Sequence, residues 1–305
     1  MAGWVEVPII EVSDDEVTET PPKRLRTWGT AVFDDCGEDF LHHLAQQGYA
    51  VLRGVLKDDC GAFREEVSGA LSAVAGGRFP PGFRGIVSSY GLPQADFAWR
   101  VRGHWRLREA FAAIFGCHDL VVSLVAVILQ AGQAKSLPWL HKDQHPRRQG
   151  LSVQAVYTHY GSGPHDAGTC VVPGSHLTTY AWEQDARNDF IRVPTDCSFQ
   201  VLKPSVPPDS VVFFNSRLIH ASVSGTQITP GRPARLGLCV AYAPRARRSE
   251  HTRRKKEKAY LQGKCSTHWP CDNFSLKPPM KAYQMLKGAR QLPPPPPLKE
   301  RLDLL

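Results

Sequence analysis

The stretch SVVFFNSRLIHASVSG, residues 210–225, opens with a short run of β-branched and aromatic residues and contains His220 further along. Similar short runs, separated by Gly, Pro, Asp and Ser, lie before and after it: SVQAVYTHY, GTCVVPG, FQVLKP and ARLGLCVAYA. Many short strands between turn-forming residues are typical of a β-sandwich or jelly roll. The sequence therefore predicts a jelly-roll core over about residues 118–245.

Helical patterns precede this core. In EDFLHHLAQQG, residues 38–48, apolar residues share one helical face and a glycine ends the pattern, while CGAFREEVSGALSAVAGG and RLREAFAAIFG predict two further helices. YAVLRGVL predicts a strand, and DLVVSLVAVILQ, residues 119–130, is continuously apolar, which favours a buried strand. The expected fold class is α+β, with N-terminal helices flanking the jelly-roll core.

Composition sets the expected domain bounds. Residues 1–27 are acidic and then contain Pro, Lys and Arg without sustained periodicity, which is typical of a disordered tail. Residues 28–290 are expected to form a single domain whose last part, 246–290, is a basic helical extension. Five consecutive prolines favour an extended left-handed helix in residues 291–305, which we expect to be a tail, or else a ligand for a proline-binding module.

The sequence has no apolar run near the roughly 20 residues that cross a bilayer. Its first residues are acidic and lack the basic segment and apolar segment of a secretory signal. The eight cysteines are scattered without a CxxC pair, so reduced thiols are expected. These features predict an intracellular protein, cytoplasmic or nuclear, with no membrane span.

The stretch WLHKDQHPRRQG, residues 139–150, carries His141 and Asp143 as an H-x-D pair, whose side chains point to one face of a strand. An imidazole and a carboxylate suit a divalent metal such as Fe(II), but a third ligand must come from elsewhere. His220, near the end of an apolar strand, is the candidate. Two histidines and one carboxylate are the ligand set of non-haem iron oxygenases.

A dicarboxylate cosubstrate needs a guanidinium at its far end, because arginine binds a carboxylate through two parallel hydrogen bonds. Arg235 opens the strand after His220, and Arg232 lies in the preceding turn. We favour Arg235. Ser222 faces the same way as His220 and is a second candidate for the distal carboxylate, and Gln154 is a candidate for lining the pocket.

Four other histidines were weighed against these ligands. His145 is followed at once by a proline that bends the strand, so it is expected at the rim of the site or just behind the ligands. His159 and His165 lie in or beside a turn and are expected at the surface. His176, in PGSH, is expected to shape a turn near the site.

The segments WLHKDQ, GTCVVPGSH, FFNSRLIHAS and the arginine before LGLCVAY resemble the phytanoyl-CoA dioxygenase family, over roughly residues 37–245. The resemblance implies a double-stranded β-helix and an enzyme that uses Fe(II) and 2-oxoglutarate. It matches His141, Asp143 and His220 to the iron ligands, and Arg235 and Ser222 to the cosubstrate-binding positions. Related halogenases have a small residue at the carboxylate position, so Asp143 implies hydroxylation or another oxidation, of an unidentified substrate.

Three alternatives remain open at this point. A nuclear nucleic-acid- or chromatin-associated protein on the same fold would use the basic stretch PRARRSEHTRRKKEK, residues 244–258, which holds much of the net charge of +8. A cupin-type metal enzyme would not need 2-oxoglutarate, and a binding protein would have lost turnover. Residues 7–16 also resemble a motif that binds the small ubiquitin-like modifier by adding a strand to a sheet.

Overall fold

The computed structural model describes residues 31–76, 84–130, 139–184, 186–225, 233–272, 274–277 and 288–305. The predicted tail at 1–27, the predicted modifier-binding motif at 7–16 and Arg232 lie outside the described residues. These described segments contain six α-helices: α1 Glu38–Gln47, α2 Cys60–Ala75, α3 Asp96–Gly103, α4 Trp105–Phe115, α5 Glu250–Leu261 and α6 Lys299–Leu302.

Twelve strands accompany these helices in the described part of the chain. They are β1 Val32–Phe33, β2 Tyr49–Arg53, β3 Arg84–Val87, β4 Leu120–Val122, β5 Val127–Gln130, β6 His141–Lys142, β7 Val153–Thr158, β8 Gly168–Val171, β9 Ile191–Arg192, β10 Ser210–Asn215, β11 His220–Val223 and β12 Arg235–Pro244. The larger sheet has the order β1-β2-β10-β7-β12-β5-β3, with β4 also paired to β12. The smaller sheet has the order β8-β11-β6-β9, and neither sheet closes into a barrel among the described strands.

The two sheets lie face to face, with the helices covering the outer face of the larger one. Val156 and Phe214 of the larger sheet pack with Val171 of the smaller sheet in one buried cluster. Phe213 points the other way, into the main core that the helices share. The chain therefore forms three layers, and the predicted α+β class with a jelly-roll core is confirmed.

The first helix ends where its sequence pattern predicts. Phe40 and Leu44 are its buried residues, and Gly48 follows it at φ 78°, with its N–H bonded to the Leu44 carbonyl. A Cβ at position 48 would lie 2.4 Å from His176 Nδ1, so only glycine fits there. This tight turn leads the chain directly into β2, beside the central strands.

The predicted single strand over residues 119–130 is wrong in one respect, because the structure divides it into β4 and β5. Between them, Leu124 exchanges hydrogen bonds with Ser266, its N–H to Ser266 Oγ at 3.0 Å and its carbonyl with the Ser266 N–H at 2.8 Å. A segment of the C-terminal extension thus satisfies backbone groups that a continuous strand would pair within its own sheet.

The proline-rich end of the chain packs on the domain. Leu292 contacts the main core and Leu305 is fully buried in it. The Leu304 carbonyl accepts from the Val122 N–H at 2.8 Å, and Arg301 pairs with Asp96 at 2.6 Å. The segment expected as a tail, residues 291–305, is therefore in contact with β4 and α3.

Candidate metal centre

Three side chains meet where β6 and β11 pair. His141 and His220 are directly opposite each other in these antiparallel strands, and Asp143 follows β6 by one residue. His141 Nε2 lies 3.6 Å from Asp143 Oδ1, and His220 Nε2 lies 3.4 Å from Asp143 Oδ2. The three ligand atoms all lie within 4.8 Å of one another. Bonds of roughly 2.1 Å to one ion would place such atoms about 3 to 4 Å apart, so this cluster is close to metal-binding geometry.

Hydrogen bonds to backbone carbonyls fix the orientation and the tautomer of the two imidazoles. His141 Nδ1 lies 3.1 Å from the Trp139 carbonyl and His220 Nδ1 lies 2.9 Å from the Leu218 carbonyl. A carbonyl only accepts, so each Nδ1 donates and each Nε2 keeps a free lone pair directed at Asp143. Both rings are therefore in the tautomer that a metal ion requires.

The carboxylate is held in a similar way. Gln154 Nε2 donates to Asp143 Oδ2 at 2.9 Å, and the Asp143 N–H donates to the Ser216 carbonyl at 2.9 Å. Gln154, predicted as a pocket-lining residue at the cofactor, thus lies against Asp143, where its amide orients the carboxylate.

Electrostatics favour the protonation states that bind a cation. Burial, together with the nearby His220, lowers the pKa of His141 to about 4. Burial alone would raise the pKa of the Asp143 carboxyl, but the adjacent side chains of His220 and His141 hold it well below its usual value. At neutral pH the cluster therefore offers a neutral imidazole at His141 and an ionised carboxylate.

The residue between the two H-x-D ligands anchors the strand. The Lys142 side chain points to the opposite face and forms a buried ion pair with Glu183 at 2.6 Å. Its ammonium also donates to the carbonyls of Thr178 at 2.9 Å and Ser175 at 3.2 Å. Because β6 is only two residues long, this anchor holds a strand that has few ladder hydrogen bonds of its own.

A buried guanidinium spans the two sheets. Arg235 of β12 donates to Ser222 Oγ at 2.5 Å and to Thr169 Oγ1 at 2.8 Å, and these two residues are opposite each other in β11 and β8. Arg235 also donates to the Gly168 carbonyl at 2.8 Å, while its Nε has no hydrogen-bond partner among the described residues. Burial lowers the pKa of Arg235 to about 10, and no carboxylate is among the charges that act on it. Within the described part of the chain, this cation therefore lacks the anion that a buried guanidinium needs.

Thr169 was not among the residues predicted from the sequence. The signal was available, because the register of β8 and β11 places Thr169 beside Ser222 on the face towards Arg235. Reading that register required the pairing of two strands that are far apart in the sequence.

Two aromatic side chains lie over the outer side of the cluster. Trp139 stacks on His141 with ring centroids 4.5 Å apart, and Phe190 lies 4.9 Å from the same ring. Trp139 is 44% exposed and Phe190 is 43% exposed, so neither is a core residue. The sequence did not single out Phe190.

The C-terminal extension places one histidine, His268, near the cluster. Burial lowers the pKa of His268 to about 4, and the Asp143 and His220 side chains are among the charges that act on it. Its Nε2 has no hydrogen-bond partner among the described residues.

The other four histidines considered as ligands lie in different surroundings. His145 lies two residues after Asp143 and is buried, with its N–H bonded to Asp189 Oδ1 at 3.2 Å. His176 Nε2 bonds to the Ala45 carbonyl at 2.9 Å and so ties its turn to α1. The surface prediction is wrong for His159, which is 5% exposed and bonds to the Tyr157 hydroxyl at 3.1 Å, whereas His165 is exposed.

The basic stretch at 244–258 forms much of α5. Arg253 and Arg254 pair with Glu250, and Lys256 is fully buried. Part of its charge is thus engaged within the helix, and nucleic-acid binding by this stretch stays a prediction. Among the described residues, no helix combines the length and the apolar composition that a bilayer-spanning segment requires.

The model of the phytanoyl-CoA dioxygenase (PhyH) family matches residues 44–227. The Ava biosynthesis cluster protein O of Aspergillus versicolor is 26% identical over 174 residues, or 49% of this chain and 56% of that protein. The chain thus spans a little over half the length of this curated relative.

Two solved structures share the fold. The epimerase SnoN in complex with Fe3+, alpha ketoglutarate and nogalamycin RO has a TM-score of 0.54 at 16% identity, over 87% of this chain and 96% of that chain. HygX from Streptomyces hygroscopicus, with nickel and 2-oxoglutarate bound, has a TM-score of 0.50 at 17% identity, over 68% of this chain and 87% of that chain. With a family match over more than half of its length, this chain belongs to the phytanoyl-CoA dioxygenase family.

Proposed function

We propose that His141, Asp143 and His220 bind Fe(II), and that Arg235 binds the far carboxylate of 2-oxoglutarate with Ser222 beside it. The observation that carries the proposal is the convergence of both imidazole Nε2 atoms on one carboxylate, at 3.4 and 3.6 Å. The donor set of two imidazoles and one carboxylate suits ferrous iron and leaves one face for other ligands.

The cosubstrate position is supported by the unpaired cation. Arg235 is 4% exposed and faces the same interior as the cluster, and a dicarboxylate bound at the iron would supply its missing anion. Thr169 joins Ser222 in orienting the guanidinium. The sequence left a choice between Arg235 and Arg232, and the contacts of Arg235 favour the former as the proposed ligand.

Bound iron and 2-oxoglutarate supply the dioxygen activation by which such enzymes oxidise an organic substrate, and we propose that the outcome here is hydroxylation. The residues of this chain orient the ligands and exclude water. Gln154 orients the carboxylate, the Trp139 and Leu218 carbonyls fix the imidazole tautomers, and the paired sheets keep bulk water away from Arg235. Asp143 occupies the coordination position that a halide would need.

The test combines binding with turnover. Anaerobic addition of Fe(II) and 2-oxoglutarate to the purified chain should give a visible charge-transfer band, and exposure to dioxygen should yield succinate. Asp143→Ala and His220→Ala should lose both signals while their circular dichroism stays unchanged. His118→Ala, a histidine with an 80% exposed side chain, is the matched control and should retain them. Retention of the band in both ligand variants would exclude this site.

A further inference from the structure

Two cavities beside the metal cluster share Arg147 and Arg148 as a common wall. One has a volume of about 300 Å³ and is also lined by Arg247, Trp269 and Asp272. The other has a volume of about 380 Å³ and is also lined by His145, Arg187 and Asn188. The residues come from the stretch just after the H-x-D pair, from the loop before β9 and from the C-terminal part of the chain.

The walls of these cavities carry more positive than negative charge. Four guanidinium groups, those of Arg147, Arg148, Arg187 and Arg247, face only two carboxylates, Asp189 and Asp272. Arg148 pairs with Asp189 at 2.7 Å, whereas Arg147 and Arg187 make no ion pair with a described carboxylate. Counting the described residues alone, the cavities therefore carry an excess of positive charge, which attracts an anion.

Arg148 forms a fixed part of the wall. Besides its ion pair with Asp189, its guanidinium lies 5.3 Å from the centroid of the Trp269 ring. The Arg217 guanidinium bonds to the Arg148 carbonyl at 2.6 Å and so holds the backbone of the same loop. One guanidinium nitrogen of Arg147 donates to the Gln184 carbonyl, and its other N–H groups are available to donate to a ligand.

His145 adds a buried donor with no acceptor. It is 7% exposed, and its Nδ1 accepts a hydrogen bond from the Arg147 N–H at 3.0 Å. A ring whose Nδ1 accepts must carry its hydrogen at Nε2. That Nε2 has no hydrogen-bond partner among the described residues. A buried N–H without an acceptor is unfavourable, so an acceptor is the expected missing group.

The donor-rich wall is next to the proposed iron site. His145 follows Asp143 by two residues, so their Cα atoms are at most roughly 7 Å apart. On the facing loop, Asp189 contacts the cavity and its neighbour Phe190 lies 4.9 Å from the His141 ring. A group bound here can therefore belong to a molecule whose other end reaches the cluster.

We propose that these cavities bind a phosphate-type oxyanion carried by the substrate, which makes the substrate of this enzyme an organic phosphate. A carboxylate can be satisfied by one arginine fork, whereas donors from three separate segments suit an anion with three peripheral oxygens. This inference rests on the proposed oxygenase function, because it assigns the anion to the molecule that is oxidised. Trp269 and the aromatic pair Trp139 and Phe190 provide apolar surface for the remainder of that molecule.

Calorimetric titration of the protein loaded with Mn(II) and 2-oxoglutarate tests the inference, with phenyl phosphate and benzoate as probes. Phenyl phosphate should bind saturably and more tightly than benzoate, and its affinity should fall as salt rises. In Arg147→Gln/Arg187→Gln the affinity for phenyl phosphate should fall at least tenfold. The matched control, Arg64→Gln/Arg108→Gln, removes two exposed arginines of α2 and α4 and should change it less than twofold.

Absence of saturable phenyl phosphate binding, tighter binding of benzoate, or equal loss in both double variants would overturn the inference. The affinity for 2-oxoglutarate is measured in the same samples and should be unchanged in both double variants. Loss of phenyl phosphate binding with normal 2-oxoglutarate binding removes this inference alone. Failure of the wild-type chain to bind 2-oxoglutarate contradicts the proposed function instead, whatever phenyl phosphate does.

Discussion

His141 and His220 lie in neighbouring antiparallel strands with ring centroids 4.2 Å apart, and their Nε2 atoms converge on the two oxygens of Asp143. The pairing of β6 with β11 thus brings together residues that are far apart in the sequence. Both imidazoles are already locked by backbone carbonyls, so metal binding requires little reorganisation of the side chains.

Replacing Gln154 with alanine should weaken metal binding without abolishing it. Gln154 donates to Asp143 Oδ2, and loss of a group that orients a ligand typically lowers metal affinity roughly 10- to 100-fold. Competitive titration of Fe(II) or Mn(II) measures the change. Gln46→Ala, on the exposed face of α1, should leave the affinity unchanged, and equal affinity in the two variants would contradict the role of Gln154.

Thr169→Val should weaken 2-oxoglutarate binding with little effect on metal binding. The substitution keeps the shape of the side chain but removes the hydroxyl that accepts from Arg235, which frees the guanidinium to rotate. Because one hydrogen bond to a charged group contributes about 1.5–3 kcal/mol, the Kd for 2-oxoglutarate should rise roughly tenfold or more. A rise in KM with unchanged kcat is the expected kinetic form, whereas a fall in kcat alone would argue against it.

Lys142→Met should destabilise the fold by about 3–5 kcal/mol, because it leaves the buried Glu183 carboxylate without its partner. The double variant Lys142→Met/Glu183→Leu should recover most of the loss, since it buries no charge. Urea unfolding measures both. Arg253→Gln, which breaks surface pairs on α5, is the control and should change stability little. A single variant as stable as the wild type would show that the buried pair does not anchor β6.

The apo protein should lose stability as the pH falls from about 6.5 to about 4. Burial lowers the pKa of His159 to about 4, below its ordinary value of 6.5, so between these values the unfolded chain binds more protons than the folded one. Stability therefore rises with pH through this window and levels off above it. In His159→Phe, the free energy of unfolding in urea should change less steeply with pH, and the difference in slope should correspond to at most one bound proton. An unchanged slope would contradict the prediction.

Much of this site was predictable from local sequence, and the reason is geometric. The H-x-D spacing places His141 and Asp143 on one face of a strand whatever the fold, and His220 follows a short apolar, strand-forming run. The end of α1 at Gly48 was equally local, because a helix followed by a left-handed residue needs glycine.

The features that were missed depend on contacts between distant segments. The apolar run at 119–130 gives no sign that Ser266 will bond in its middle, and the turn-like sequence around His159 does not show that Phe63 of α2 covers it, with ring centroids 4.7 Å apart. Thr169 and Phe190 became visible only once strand register and loop placement were known. Such placements arise from tertiary packing, which periodicity does not encode.

The position of β12 has a practical consequence for shortening the chain. β12 lies between β7 and β5 in the larger sheet, and it begins at Arg235, beyond the last residue matched by the family model, 227. A fragment cut at that limit would lack a central strand together with the guanidinium that bridges the sheets. During synthesis the same arrangement delays completion of the larger sheet until residue 244 has left the ribosome, and pairing at Leu124 until Ser266 has followed.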